Sequence, residues 1–138
     1  MGTARTHVRL LAMLAVPALV LVMYRQPACA ADPSYSQVFL YEHTSYGGAS
    51  LSFTYDQDVA DLTKWRLPNS KKNWNDVISS LKVGKFAKIT LYQHINYGGN
   101  FVTITADGQN VKNQPNLHSI GWGDYVSSFR VRMNEYGQ

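Results

Sequence analysis

Two six-residue stretches hold the side chains of this sequence best suited to chemistry. They are Asn-Asp-Val-Ile-Ser-Ser, from Asn75 to Ser80, and Gly-Asp-Tyr-Val-Ser-Ser, from Gly123 to Ser128. Each places an aspartate, a free backbone carbonyl and two hydroxyls just before a stretch of strand character. Mixed oxygen donors, with no thiolate or imidazole in the phrase, suit a hard cation and calcium above all. A turn in which Asp and Ser merely satisfy backbone groups uses the same residue types. One copy alone would favour the turn; the second copy shifts the balance toward the ion.

Other chemistries find little support. The sequence has no G-x-S-x-G, no H-E-x-x-H and no glycine-rich phosphate loop following a strand, so an enzyme is not expected. His43 and His94 occupy equivalent places in a repeat, which favours a shared packing role over a zinc pair. The run Asp56-Gln57-Asp58 lacks the spaced ligands and central glycine of a helix-loop-helix calcium site and reads as a solvated loop.

The elements that must position these phrases also come in pairs. Leu-Tyr-Glu-His-Thr-Ser-Tyr-Gly-Gly (40–48) returns as Leu-Tyr-Gln-His-Ile-Asn-Tyr-Gly-Gly (91–99), with six of the nine positions identical. A repeated structural unit follows. Each unit runs from an aromatic-glycine phrase through a strand and a variable linker to W-x-D-x-x-S-S and a further strand. The first covers about residues 38–84 and the second about 88–133. Six short runs rich in β-branched and aromatic residues read as strands, with Gly, Asn and Asp between them. In Phe101–Thr105 the side chains of Phe101, Thr103 and Thr105 point one way, and those of Val102 and Ile104 the other. Single helical turns fit 58–65 and 115–122. Two units of four strands, packed face to face, would each cover a sheet face that the other exposes. Gly48 and Gly99 are expected at φ > 0, with the backbone lying close against the Tyr41 and Tyr92 rings.

The first 30 residues stand apart. Arg5 and Arg9, the apolar run 10–23 and Ala28-Cys29-Ala30 read as a secretory signal peptide, cleaved near Ala30 or Ala31. The apolar run is shorter than the roughly 20 residues that span a bilayer, and Pro17 interrupts it. The whole sequence carries 13 Lys and Arg against 9 Asp and Glu. Arg5, Arg9 and Arg25 leave with the leader, and the remaining charge is close to neutral. Nucleic acid and membrane are therefore not expected as partners of residues 31–138. The single cysteine, Cys29, also leaves, so no internal disulfide remains despite an extracellular or periplasmic destination.

The doubled pattern Y-x-x-x-x-Y-x-G, each followed by an Asp-x-x-Ser-Ser phrase, resembles a microbial βγ-crystallin domain, and the likeness covers nearly all of 37–133. It implies an all-β, eight-stranded Greek-key sandwich of two four-stranded motifs, forming one monomeric domain at 31–138. It also implies two calcium sites that exchange ligands between motifs. In one, Glu42 and Val77 would offer carbonyls, Ser79 its hydroxyl and Asp124 its carboxylate. In the other, Gln93 and Tyr125 would offer carbonyls, Ser127 its hydroxyl and Asp76 its carboxylate. Ser80 and Ser128 would tie strand to hairpin. Gly123 departs from the Asn or Asp of the family pattern, which makes the two sites unequal. Calcium binding that stabilises a secreted domain is the function implied. The alternatives on this fold are a cell-killing protein acting on an unidentified cell-surface target and a protease inhibitor, whose known type relies on disulfides that this chain lacks.

Overall fold

A computed structural model describes residues 31–138; the leader read at 1–30 lies outside the described residues. Eight strands follow in order: β1 (Gln37–Tyr41), β2 (Ser50–Thr54), β3 (Asp58–Val59), β4 (Ser80–Val83), β5 (Ala87–His94), β6 (Gly98–Thr105), β7 (Lys112–Gln114) and β8 (Ser128–Met133). They form two four-stranded antiparallel sheets, ordered β2-β1-β4-β7 and β3-β8-β5-β6. The chain is thus all-β, as its short alternating runs require. Single 3₁₀ turns at Leu62–Lys64 and Leu117–Ile120 fall inside the two segments expected to hold helical turns.

The division of strands differs from two self-contained units placed face to face. Each sheet takes three strands from its own motif and borrows the third strand of the other. β3 leaves the first motif to pair with β8, and β7 leaves the second to pair with β4. The exchange has a physical reason. β3 has two residues and β7 three, too few to nucleate pairing alone, and each gains a ladder only on a longer strand already in place. On β3, Val59 is buried in the core, while Arg132 holds Asp58 through both carboxylate oxygens, 2.8 Å at the Nη2 contact.

Between the sheets lies one core. Val38, Leu40, Leu81 and Val83 of the first sheet meet Ile89, Leu91, Phe129 and Val131 of the second, all fully buried. Ile104 is buried and Phe101 is exposed, so β6 alternates as its sequence dictates. Where the sheets join, Asn134 is a buried amide that donates to Lys85 O at 2.9 Å and Ala106 O at 3.0 Å, clamping the connection between the motifs. Gly84 in that connection admits no side chain: a Cβ would stand 2.1 Å from the carbonyl oxygen of Ser34.

The Arg132 guanidinium holds the Asp58 carboxyl below its usual range. A depressed folded-state value stabilises above the unfolded carboxylate pKa, and that contribution is lost as pH falls through the folded value. Asp58→Asn should therefore be the less stable protein at neutral pH but lose less stability on acidification, with a shallower pH dependence below about pH 4. The pair is solvated, so the effect is small. Parallel pH–stability curves for the two proteins would remove Asp58 from the acid transition.

Candidate metal centre

The two hairpins first read in the sequence build the walls of the site. Thr44–Tyr46 and Ile95–Tyr97 form matching 3₁₀ turns, with Ser45, Tyr46, Asn96 and Tyr97 at positive φ. Ser80 Oγ donates to His43 O at 2.6 Å and accepts from Tyr46 N at 3.0 Å. Ser128 repeats both contacts with His94 O and Tyr97 N at the same distances. The last serine of each phrase therefore ties its strand to the folded hairpin. Gly48 and Gly99 both stand at φ +74°, as expected. Their close neighbours are different from those expected, however. A Cβ on Gly48 would meet His43 and Glu42, and one on Gly99 would meet His94 and Gln93. The rings of Tyr41 and Tyr92 instead pack edge-on against Tyr46 and Tyr97, at 5.5 and 5.6 Å.

The two Asp-x-x-Ser-Ser loops face each other across a local two-fold. Asp76 N donates to Val126 O at 3.0 Å, and Asp124 N donates to Ile78 O at 3.1 Å. Ser79 N reaches Tyr41 O and Ser127 N reaches Tyr92 O, both at 3.0 Å. Asp76 and Asp124 both take left-handed backbone, φ 54° and 55°, which aspartate tolerates better than most residues. This backbone lattice delivers each aspartate to the loop of the other motif. Ser79 Oγ donates to Asp124 Oδ1 at 2.8 Å and lies 3.2 Å from Val77 O. Ser127 Oγ and Asp76 Oδ1 are 3.5 Å apart.

The predicted donors are thus gathered unevenly. Glu42, Val77, Ser79 and Asp124 line one cavity of about 210 Å³, together with Asp76, His43, Leu67 and Lys72. The second set divides into two contacts, Asp76 with Ser127 and the side chain of Gln93 with the Tyr125 hydroxyl. Glu42 also brings its carboxylate, which accepts from Ala49 N at 3.1 Å; the sequence reading used only its carbonyl. Lys72 and His43 were not foreseen as cavity walls. Among the described residues no three His, Cys, Asp or Glu side chains are placed to hold a metal ion by themselves. The predicted donors that converge in the cavity are all oxygens, a set that fits calcium better than a transition metal.

The Gly123 departure has a structural cause. A Cβ there would lie 2.3 Å from Cγ of His118, whose ring covers the position. In the first loop Asn75 Nδ2 donates to Asp76 Oδ2 at 2.8 Å. In the second, His118 Nε2 approaches Asp124 Oδ2 at 3.7 Å. An imidazole borrowed from the preceding turn takes the place of the missing amide. Its signal in the sequence was the glycine itself, an absence that pointed to no particular partner.

Comparison with known proteins agrees with this architecture. The family model for Peptidase inhibitor family I36 matches residues 26–104. Spherulin-3A of Physarum polycephalum is 31% identical over 80 residues, spanning 58% of this chain and 70% of that protein. Among solved structures, the βγ-crystallin domain of Abundant Perithecial Protein from Neurospora crassa, in its Ca²⁺-bound form, is similar at 26% identity. Its TM-score is 0.56, over 77% of this chain and 98% of that one. A βγ-crystallin domain from Flavobacterium johnsoniae is 31% identical, with a TM-score of 0.55 over 71% of this chain and 96% of that one. Two interlocked Greek-key motifs, doubled hairpins and a family match over more than half its length make this chain a member of Peptidase inhibitor family I36 built on the βγ-crystallin fold.

Proposed function

We propose that this domain binds calcium at the paired loops and is stabilised by it, in the extracellular or periplasmic setting that its leader suggests. One observation carries the reading: Ser79 Oγ lies 2.8 Å from Asp124 Oδ1, although the two residues belong to different motifs. A turn that served only its own backbone would have no use for a carboxylate brought from the other loop. The Ca²⁺-bound relative from Neurospora crassa supports the same reading. One aspartate per set of ligands, with the Glu42 carboxylate already engaged by Ala49 N, makes the affinity modest, on the order of 10–1000 μM. At about ten to a hundred times Kd, each filled site adds roughly 1.4–2.7 kcal/mol. Calorimetric titration of the purified protein with calcium chloride should show binding in that range. The melting temperature should rise by several degrees with calcium and fall again with chelator; a melting curve indifferent to millimolar calcium would reduce the loops to turns.

Family membership favours a second reading, inhibition of an extracellular peptidase. The segment from Trp65 to Trp74 folds back as a hairpin, with Leu67 N donating to Lys72 O at 3.1 Å and Trp74 N to Trp65 O at 2.8 Å. Leu67 and Trp74 anchor it in the core while Pro68 to Lys72 stay exposed. Buried anchors hold this loop where other inhibitors use disulfides. Inhibition assays against secreted metallo- and serine peptidases, with intact protein and with the 68–72 tip replaced by glycine and serine, test it.

A further inference from the structure

The second motif departs from the first at one place in a way that packing does not explain. An open cavity of about 470 Å³ lies beside the Gly123–Ser128 loop, lined by Gly99, Asn100, Phe101, Gly121, Trp122 and Tyr125. Phe101 is 66% exposed and Tyr125 42% exposed. In the first motif the equivalent positions are Ser50 for Phe101 and Val77 for Tyr125, while Trp74, the counterpart of Trp122, is fully buried. The fold therefore needs no aromatic ring at 101 or 125. Large apolar side chains kept exposed where the sister motif uses serine and valine mark a surface that meets something.

The cavity is also pre-organised. Gln93 Oε1 accepts from Asn100 N at 3.4 Å, while Gln93 Nε2 donates to the Tyr125 hydroxyl. One amide thus joins the two walls. Trp122 packs edge-on against Tyr125 at 5.9 Å, and Phe101 leans on Tyr92 at 5.9 Å. A Cβ built on Gly121 meets nothing within 4 Å, so this wall is bare backbone open to the cavity.

These features select the ligand. None of the six lining residues carries a charge, which disfavours phosphates and acidic or basic peptides. The cavity pairs aromatic rings with glycine backbone and the Asn100 amide. Such a surface suits a ligand with an apolar face and a polar rim. We infer that this cavity is a binding site for a neutral carbohydrate. Pyranose C–H faces would rest on Phe101 and Tyr125, and hydroxyls would bond the Gly99 and Gly121 backbone and Asn100. The volume lies within the range of small-molecule sites.

The test uses the purified protein with insoluble chitin, cellulose and mannan, and with the soluble trisaccharide of each, in calcium chloride and again in chelator. At least one polymer should retain the protein, and its trisaccharide should shift the tryptophan fluorescence. Phe101→Ser, which installs the residue of the first motif, should weaken binding roughly tenfold, the loss of a single aromatic contact, with no change in melting temperature. Failure of all three polymers to retain the protein overturns the inference. So does equal retention of Phe101→Ser, or a concentration-dependent dimer that this substitution abolishes, which would make the patch an interface between copies. Sugar binding that survives chelator leaves the inference standing even if calcium binding fails, so the two readings are separable.

Discussion

Trp74→Ala should destabilise this domain by about 3–5 kcal/mol, whereas Trp122→Ala should cost only about 1–2 kcal/mol. The two tryptophans hold the same place in the repeat, so the sequence alone predicts equal losses. The structure breaks that tie. Trp74 is completely buried, and its Nε1–H finds no hydrogen-bond partner. It stabilises through packing, which the unpaired donor partly offsets, and its removal leaves a void beneath the hairpin of residues 65–74. Trp122 packs only partly against the core, with one side open to the aromatic cavity. For a domain stable by about 5–15 kcal/mol, the first loss approaches unfolding at ordinary temperature. Urea titration of both variants, each checked for an unchanged m value, measures the difference. Equal midpoints would mean that the two motifs bury their tryptophans alike in solution.

The second large effect concerns the exchanged carboxylates. On the calcium reading, Asp124→Ala should weaken the site formed with Glu42, Val77 and Ser79 at least tenfold, although it lies in the opposite motif. Asp76→Ala should do the same to the set with Gln93, Tyr125 and Ser127. Ser79→Ala should touch the same site as Asp124→Ala but cost less, because a carboxylate supplies most of the attraction for a dication. Asp76 and Asp124 share the walls of one cavity, so single substitutions alone do not separate the sites cleanly. Double-mutant cycles do. Ser79 with Asp124 and Ser127 with Asp76 should couple, whereas Ser79 with Asp76 should be additive. Coupling of Ser79 to Asp76 instead would place each ion within a single motif.

Much of this was legible in the residues. Six strands announce themselves by alternation, as at Phe101–Thr105, and the two glycines at φ +74° by their place at the end of a doubled hairpin phrase. β3 and β7 did not, because Asp58-Val59 and Lys112-Asn113-Gln114 have no strand character of their own. Their conformation is imposed by β8 and β4, partners far away in the chain. The Asp-Ser phrases could be recognised as a doubled oxygen cluster for a similar reason: every donor sits in the repeat itself. His118 could not, since it lies outside the phrase and is identified only by the ring that covers Gly123. The aromatic cavity was hidden in plain view, because its meaning lies in the difference between two nearly equal halves.

The loan of β3 also sets a timetable for the nascent polypeptide. Asp58 lies opposite Arg130 and Val59 opposite Phe129, so this strand is synthesised well before its partner. The first half leaves the ribosome with one of its strands unmatched, and residues 31–127 hold every strand of the β2-β1-β4-β7 sheet but cannot complete the β3-β8-β5-β6 sheet. Closure waits for β8. Such long-range pairing folds slowly, and the waiting chain exposes apolar surface meanwhile. The same interlock that joins the finished halves therefore delays their assembly until β8 is available.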